Sequence, residues 1–273
     1  MKVETIDWEG DSMKCEFHSL DLKEIGRTVE ITVCVPESET NKNFPVLYMH
    51  DGQNLVDRKK SYSGKTWKVK ESFETRNDLP EVIVVGISSA PDSRRLDEYN
   101  PFEFEFETDR LTQEGGKIPG GLGEAYLQDI ITNIKPFVNE RYPTNPSADN
   151  TAIMGSSLGG LISLYAGIAH GSHFTRVASL SGAFFVSMEA LNELIDKSNL
   201  SHLKKVYLDT GDSEEAGGEA KDYLLSNRAV YNELKNKLGN TSLEYREIKD
   251  GKHHERDWAN RFPEVIKFLF DKA

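Results

Sequence analysis

The chain has 273 residues, 37% of them hydrophobic, and a formal net charge of −12. This length can bury the core of one large α/β domain, and the acidic balance argues against a nucleic-acid partner or an anionic membrane surface. No apolar run approaches the ~18 residues of a membrane span, and the first residues lack the apolar core of a secretory signal peptide. We therefore predict a soluble protein with a single domain over residues 1–273 and no membrane partner, and the sequence leaves open whether it forms a homo-oligomer.

Cysteine usage bears on the compartment in which the protein works. Cys15 and Cys34 are the two cysteines of the chain. Two cysteines are too few for a disulfide framework or a metal cluster. The prediction that follows is a reducing, cytoplasmic compartment.

Short apolar runs along the chain predict the strands of a sheet. Residues 27–36, RTVEITVCVP, alternate in character and end at a proline, which is typical of a strand in an antiparallel N-terminal hairpin. The later runs are nearly continuous, as expected for strands that are buried on both faces of a parallel sheet. These runs are FPVLYMH (44–50), EVIVVGISS (81–89), TAIMG (151–155), VASLSG (177–182) and KKVYLDTG (204–211).

Segments with helical periodicity separate several of these runs. They are AYLQDIITNIKPFVNERY (125–142), LGGLISLYAGIAH (158–170), ALNELIDKS (190–198), DYLLSNRAVYNELKNKL (222–238) and FPEVIKFLFDKA (262–273). Strands that alternate with helices predict βα units and a mostly parallel, doubly wound α/β sheet with helices on both faces.

Residues 90–120 do not fit this alternation. The segment is longer than an ordinary connection, and long loops in compact domains are often lids or binding loops. The alternative interpretation is an acidic loop that is exposed to solvent. The sequence does not decide between a lid and such a loop.

A pair of serines follows the run TAIMG, in the stretch TAIMGSSLGG (151–160). Gly155 to Gly159 match the pattern G-x-S-x-G with Ser157 in the centre, and Ser156 occupies the free position. Between a strand and a helix, this pattern is typical of a nucleophile elbow, a sharp turn that needs small flanking residues and presents a serine hydroxyl beside a helix N-terminus. The alternative is a glycine-rich corner with a purely structural role.

A serine nucleophile needs a base, and the base needs an acid that orients it. In the fold that carries this elbow, the acid follows the serine and the histidine follows the acid. His253 and His254 lie in the loop before the last predicted helix, where the base is expected. Asp212 and Glu214 follow the strand 204–211 and are the candidate acids. The residues alone do not choose within either pair.

The oxyanion hole needs a second N–H donor from a loop that follows an earlier strand. The segment HDGQN (50–54) ends the first long core run, and Gly52 permits an unusual backbone turn there. We predict that the backbone N–H groups of Gln53 and Leu158 form the oxyanion hole. A surface turn stabilised by the side chain of Asp51 is the alternative interpretation.

Four blocks of the sequence resemble the putative-esterase branch of the α/β-hydrolases, which includes esterase-D-like enzymes, feruloyl esterases and enterobactin-type trilactone esterases. The blocks are YMHDGQNLVD, RRLDEYNP, GSSLGGLISLYA and GKHHERDW with RFPEVIKFLF, so the resemblance runs from about residue 28 to the C-terminus. It implies the α/β-hydrolase fold for the chain.

The resemblance also selects among the candidate residues. In this family the triad histidine stands two residues before a glutamate and five before a tryptophan, which here are Glu255 and Trp258, so it implies His253. The acid lies three residues beyond the glycine of a GTxE-like turn. Counted from Gly211 this is Glu214, although the present chain has GDSEE at that turn.

Together the residues and the resemblance predict a serine carboxylesterase that hydrolyses a small-molecule ester through an acyl-enzyme, with no cofactor and no metal. The triad is Ser157, His253 and Glu214. The candidate substrate-binding residues are Asp51, Tyr99, Phe184 and Phe185, although core packing accounts equally well for the aromatic side chains.

Other functions on the same fold stay open at this point. A siderophore trilactone esterase would bind a strongly anionic complex through cations such as Arg94 and Arg95, which the net charge of −12 does not favour. An acyltransferase would pass the acyl group to an alcohol instead of water. A non-catalytic binding protein is the alternative from another class, but such proteins usually lose a triad member, and this chain has a candidate for each.

Overall fold

The computed structural model describes residues 3–6, 13–38, 42–104, 119–216, 218–238 and 242–271. Nine strands of these described residues form one sheet. They are β1 (Val3–Ile6), β2 (Met13–Leu22), β3 (Arg27–Pro36), β4 (Val46–His50), β5 (Ile83–Ile87), β6 (Thr151–Ser156), β7 (Arg176–Leu180), β8 (Lys205–Gly211) and β9 (Ser242–Ile248).

The spatial order of the strands is β1-β2-β3-β5-β4-β6-β7-β8-β9, so β9 forms one edge of the sheet. The pairs β5–β4, β4–β6, β6–β7, β7–β8 and β8–β9 are parallel. The pairs β1–β2, β2–β3 and β3–β5 are antiparallel. The predicted α/β sheet with an antiparallel N-terminal hairpin is therefore confirmed.

The side chains of β4 show why the central strands read as continuous apolar runs. Val46 and Tyr48 pack into a hydrophobic core on one face of the sheet, whereas Leu47 and Met49 pack into a second core on the other face. All four side chains are buried. A strand that is covered on both faces has no side that faces solvent. Its residues are therefore apolar at successive positions and do not alternate with polar ones.

The helices of the described residues cover both faces. They are α1 (Val69–Thr75), α2 (Arg94–Glu98), α3 (Gly123–Asp129), α4 (Lys135–Arg141), α5 (Leu158–Ala169), α6 (Met188–Lys197), α7 (Ala220–Lys237) and α8 (Glu255–Phe270). Helices α1 and α8 pack on the core that contains Trp67 and Phe262, and α2 to α7 pack on the opposite core. None of these helices is both long and apolar enough to cross a membrane.

Residues 90–120 are only partly described, because residues 105–118 lie outside the described residues. The described part is anchored to the domain. Helix α2 lies near its start, Glu103 forms a β-bridge with Gly120, and the carboxylate of Asp97 accepts a hydrogen bond from the N–H of Gly120 at 2.8 Å. The interpretation of this segment as a lid stays a prediction.

Cys15 and Cys34 lie opposite each other on β2 and β3 and form a disulfide bond. The sequence analysis did not predict this bond, because it depends on the register of the hairpin and not on cysteine number. Disulfides persist mainly in oxidising compartments. The cytoplasmic location therefore stays a prediction, and this bond does not support it.

We predict that reduction of the Cys15–Cys34 disulfide destabilises the protein. The bond closes a loop with a sequence separation of 19 residues. Loss of a cross-link across a loop of that length costs about 3 kcal/mol in free energy of unfolding, because the unfolded chain gains conformational entropy. Urea denaturation with and without dithiothreitol measures the effect. The double variant Cys15→Ser/Cys34→Ser is the control, since reductant should not change its stability, and equal stability of the oxidised and reduced wild type would contradict the prediction.

Candidate active site

The turn between β6 and α5 has the geometry of a nucleophile elbow. Ser157 stands between the two elements with φ 59° and ψ −126°, a conformation that non-glycine residues rarely adopt. A Cβ atom added to Gly155 would lie 2.7 Å from the carbonyl carbon of Gly159, which is too close for any side chain. The small residues around the serine pair are therefore required by the close approach of two backbone segments.

Backbone hydrogen bonds hold Ser157 in this conformation. Its N–H donates to the carbonyl of Leu180, and its own carbonyl accepts from the N–H groups of Gly160, Leu161 and Ala183. A strained conformation of this kind costs about 1–3 kcal/mol. Four hydrogen bonds at about 1 kcal/mol each offset that cost.

The two serines of the pair differ in their surroundings. Ser156 is the last residue of β6, pairs with Leu180 of β7 and is buried. Ser157 lies outside the strand and is partly exposed. Of the two hydroxyl groups, the one that can meet a substrate is therefore that of Ser157.

Glu214 and His253 come together at the same end of the sheet. Nδ1 of His253 lies 2.6 Å from Oε2 of Glu214, and the Glu214 side chain is fully buried. Oε1 of Glu214 accepts hydrogen bonds from the Ser181 hydroxyl at 2.5 Å and from the N–H of Gly211 at 2.7 Å. Burial alone would raise the pKa of Glu214, but these bonds and the one with His253 lower it below its ordinary value.

The other members of the two candidate pairs lie elsewhere. Asp212 is exposed, and its carboxylate accepts a hydrogen bond from the N–H of Asp250. His254 caps helix α8, where its Nδ1 accepts from the N–H of Arg256 at 3.1 Å. Its side chain is 44% exposed, against 8% for His253.

A second layer of polar residues holds Glu214 in place, and the sequence analysis did not find it. The Ser181 hydroxyl donates to Glu214 and accepts from Nε1 of Trp258 at 2.9 Å and from Nη2 of Arg261 at 3.0 Å. Arg261 also forms an ion pair with the buried carboxylate of Asp209 at 3.0 Å. Burial raises the pKa of Asp209 to about 6, because the nearby guanidinium offsets the desolvation only in part.

The loop after β4 packs directly against the elbow. A Cβ atom on Gly159 would lie 3.3 Å from Cβ of His50 and 3.6 Å from a carboxylate oxygen of Asp51. Asp51 has a left-handed backbone, φ 54°, and leads into a single 3₁₀ turn over Gly52–Asn54. The structure therefore brings the start of the turn that carries Gln53 to the side of the elbow.

The two predicted oxyanion donors are held by different means. The side-chain amide of Gln53 forms two hydrogen bonds with Ser89, one at 2.9 Å to its hydroxyl and one at 3.1 Å from its N–H. These bonds fix the turn that carries the Gln53 backbone. Leu158 is the first residue of α5, so its N–H has no carbonyl acceptor within the helix and points from the helix N-terminus.

The predicted substrate-binding residues fall into two groups. Asp51 forms a bidentate ion pair with Arg95 at 2.7 Å for both bonds, and its N–H donates to the buried hydroxyl of Tyr99 at 2.9 Å. Tyr99 and Phe184 are fully buried, so core packing accounts for both. Phe185 is only partly buried and lies edge-on to Tyr223 with the ring centroids 4.9 Å apart.

His50 lies beside the elbow, 3.3 Å from the position that a Cβ atom on Gly159 would take. Burial lowers its pKa to about 3, so the imidazole is neutral. Its Nδ1 is hydrogen-bonded to the Tyr126 hydroxyl at 2.9 Å. His50 therefore belongs to the interior below the loop that follows β4.

Tyr223 is a site residue that sequence reasoning missed. The ring of His253 packs between Tyr223 and Trp258, with centroid distances of 4.8 Å and 4.9 Å. Burial raises the pKa of Tyr223, and the nearby Ser157 side chain offsets that rise in part. The helical period of residues 222–238 makes Tyr223 look like an ordinary core residue, and no other signal in the sequence distinguishes it.

No group of three or more histidine, cysteine, aspartate or glutamate side chains in the described ranges is arranged to hold a metal ion. The acids and histidine at the site are instead paired with each other or with donors. The arrangement suits proton transfer between a serine and an imidazole.

Comparisons with known proteins identify the family of the chain. The family model "Putative esterase" matches residues 23–269. The uncharacterized protein YbbA of Bacillus subtilis (strain 168) is 28% identical over 247 residues, which cover 88% of this chain and 92% of that protein.

Solved structures share the fold at low identity. A ferulic acid esterase superposes with a TM-score of 0.70 and 18% identity, over 95% of this chain and 98% of that one. The enterobactin esterase of Shigella flexneri superposes with a TM-score of 0.74 and 19% identity, over 96% of this chain but only 61% of that longer one. These similarities confirm the α/β-hydrolase fold.

We predict that Gly155→Ala destabilises the protein by about 1–3 kcal/mol or more, because the new methyl group forces β6 away from α5. Gly64→Ala is the control. Gly64 has φ 69° with open space around its Cβ position, so that substitution costs only the backbone strain of about 1 kcal/mol. Urea denaturation compares the two variants. A Gly155→Ala protein as stable as the wild type would contradict the close approach in the elbow.

Proposed function

Because the chain belongs to the "Putative esterase" family and is thus a carboxylic ester hydrolase, we propose that it cleaves its substrate through an acyl-enzyme formed on Ser157. The observation that carries this proposal is the 2.6 Å hydrogen bond between Glu214 and His253 at the edge of the sheet where the elbow presents Ser157. A buried carboxylate on one nitrogen of an imidazole beside a strained serine is the arrangement that activates a serine hydroxyl.

Glu214 determines which nitrogen of His253 acts as the base. Nδ1 donates its proton to the carboxylate, so Nε2 is left as the acceptor for the Ser157 proton. The carboxylate also stabilises the imidazolium that forms. The low pKa of Glu214 keeps it ionised for this role at neutral pH.

In the first half-reaction the Ser157 oxygen attacks the ester carbonyl, and His253 takes its proton. The carbonyl electrons move to the oxygen, which the N–H groups of Gln53 and Leu158 stabilise. His253 then returns the proton to the departing alcohol, which leaves the acyl group on Ser157. In the second half-reaction, water replaces the alcohol and His253 activates it in the same way.

The two cations named for a strongly anionic substrate, such as a siderophore–iron complex, already have partners within the protein. Arg95 is paired with Asp51, and Arg94 interacts with Glu98 and donates to the carbonyl of Ile25. Both cations named for such a substrate are therefore engaged within the protein. Phe185, which keeps exposed surface beside Tyr223, favours an apolar or aryl group next to the ester.

We predict that Ser157→Ala abolishes covalent labelling by a fluorophosphonate probe and lowers kcat by about 10³-fold or more. The matched control is Ser156→Ala, which should keep most of the activity because Ser156 is buried in β6. Activity is measured on p-nitrophenyl acyl esters, feruloyl esters, acetylated sugars and a catecholate trilactone, chosen to cover the alternatives. A wild type that neither labels nor hydrolyses any of them would favour the non-catalytic binding protein.

We predict that His253→Ala is nearly as inactive as Ser157→Ala, whereas His254→Ala stays within about tenfold of wild type, since His254 only caps a helix. Glu214→Gln should likewise reduce kcat far more than Asp212→Asn, because only Glu214 contacts the imidazole. Steady-state kinetics on the best ester of the panel measure all four variants. Loss of activity in His254→Ala with an active His253→Ala would overturn the assigned base.

A further inference from the structure

Tyr223 is held rigidly at the edge of the site. It lies in the first turn of α7, whose start is fixed by reciprocal side-chain caps between Glu219 and Asp222. The side chain is buried, and its hydroxyl donates a hydrogen bond to the carbonyl of Ala216 at 2.5 Å. Phe185 packs edge-on against the ring at 4.9 Å. The phenol oxygen therefore has one position in the resting enzyme.

That position is next to both reacting groups of the protein. The centroid of the Tyr223 ring lies 4.8 Å from that of the His253 ring, and the Tyr223 hydroxyl is near enough to the Ser157 side chain to interact with it electrostatically. The proton of the phenol is directed to Ala216, which leaves a lone pair of the phenol oxygen able to accept from a neighbouring hydroxyl.

The alcohol oxygen of an ester must come to the same place. His253 takes a proton from Ser157 and gives it to the alcohol oxygen, so Nε2 must reach both oxygen atoms within hydrogen-bond distance. A hydroxyl that contacts Ser157 and packs beside His253 is therefore adjacent to the alcohol oxygen when an ester is bound. The oxyanion donors Gln53 and Leu158 serve the carbonyl oxygen and do not serve this one.

We propose that Tyr223 is a further catalytic residue that donates a hydrogen bond to the alcohol oxygen of the ester as the acyl–oxygen bond breaks, an inference that rests on the proposed function. The electron pair of that bond passes to the alcohol oxygen, and the proton on Nε2 of His253 moves to the same atom. Tyr223 turns its O–H from the carbonyl of Ala216 toward this oxygen and keeps its own proton. It thereby stabilises the negative charge that develops before proton transfer is complete.

The test compares two esters of the same acid in Tyr223→Phe and wild type. A p-nitrophenyl ester has a weakly basic leaving oxygen that needs little help, whereas an alkyl ester has a strongly basic one. We expect kcat/KM for the alkyl ester to fall about 10- to 100-fold and that for the p-nitrophenyl ester to change by less than about threefold. The ratio of the two values does not depend on the fraction of folded enzyme, so partial loss of folding does not obscure the result.

Tyr245→Phe is the matched control, because Tyr245 on β9 donates to the surface carboxylate of Glu247 and lies away from the serine. It should leave the ratio unchanged. If kcat/KM of Tyr223→Phe fell equally for both esters, the role of the hydroxyl would be purely structural. If kcat/KM rose equally for both, the hydroxyl would only hinder removal of the Ser157 proton. Either result overturns the inference. Fluorophosphonate labelling of the wild type separates this inference from the proposed function. The proposed function fails if the wild type does not label, whereas the inference on Tyr223 is decided by the ratio of the two esters.

Discussion

The backbones of Gly155 and Gly159 approach each other so closely that no methyl group fits between them. At this contact the chain reverses its direction at Ser157, which adopts a positive φ of 59°. Because β6 lies inside the sheet, between β4 and β7, the hydroxyl emerges where loops from both neighbouring strands can reach it. The position of every other group at the site is defined relative to this turn.

Parallel strands bring the remaining groups to the same edge of the sheet. The loops after β4, β7 and β8 contribute the oxyanion turn, Ser181 and Glu214, and the loop after β9 contributes His253. These loops are bound to one another as well as to the elbow. Ser181 joins β7 to the acid loop and to α8 through Glu214, Trp258 and Arg261. A hydroxyl that serves one acceptor and two donors couples three elements, so the orientation of the carboxylate depends on all of them.

The layout of the site could be predicted from the sequence, whereas its supporting layer could not. The elbow has a local pattern, since glycines at fixed offsets are needed wherever backbones touch, and His253 and Glu214 follow from spacing in related sequences. The spacing of Trp258 has a physical cause that only the structure reveals, namely the hydrogen bond of its indole to Ser181. Tyr223 and Arg261 lie on helices with ordinary periodicity, and their roles arise from contacts between residues far apart in the chain.

The same reasoning accounts for the parts of the fold that the sequence analysis missed or left open. Strand β2 alternates polar and apolar residues only imperfectly, and the Cys15–Cys34 bond depends on its register with β3. Tyr99 and Phe184 are aromatic residues near the site in sequence, but both are buried, because aromatic side chains fill the core as readily as they line a pocket. Burial of an individual side chain is decided by packing and not by its neighbours in the chain.

Within the described part of the chain β9 forms an edge of the sheet, which has a consequence for how these molecules behave in a crowded solution. An unpaired strand edge is a template onto which the edge of another chain can dock, and proteins counter this with charged side chains. Residues along β9 form such a charged fringe, in which Glu244 pairs with Arg246 and Glu247 pairs with Arg228 of α7. A second strand that approached this edge would have to strip water from both ion pairs. Charged pairs at this position therefore oppose the edge-to-edge joining of neighbouring copies.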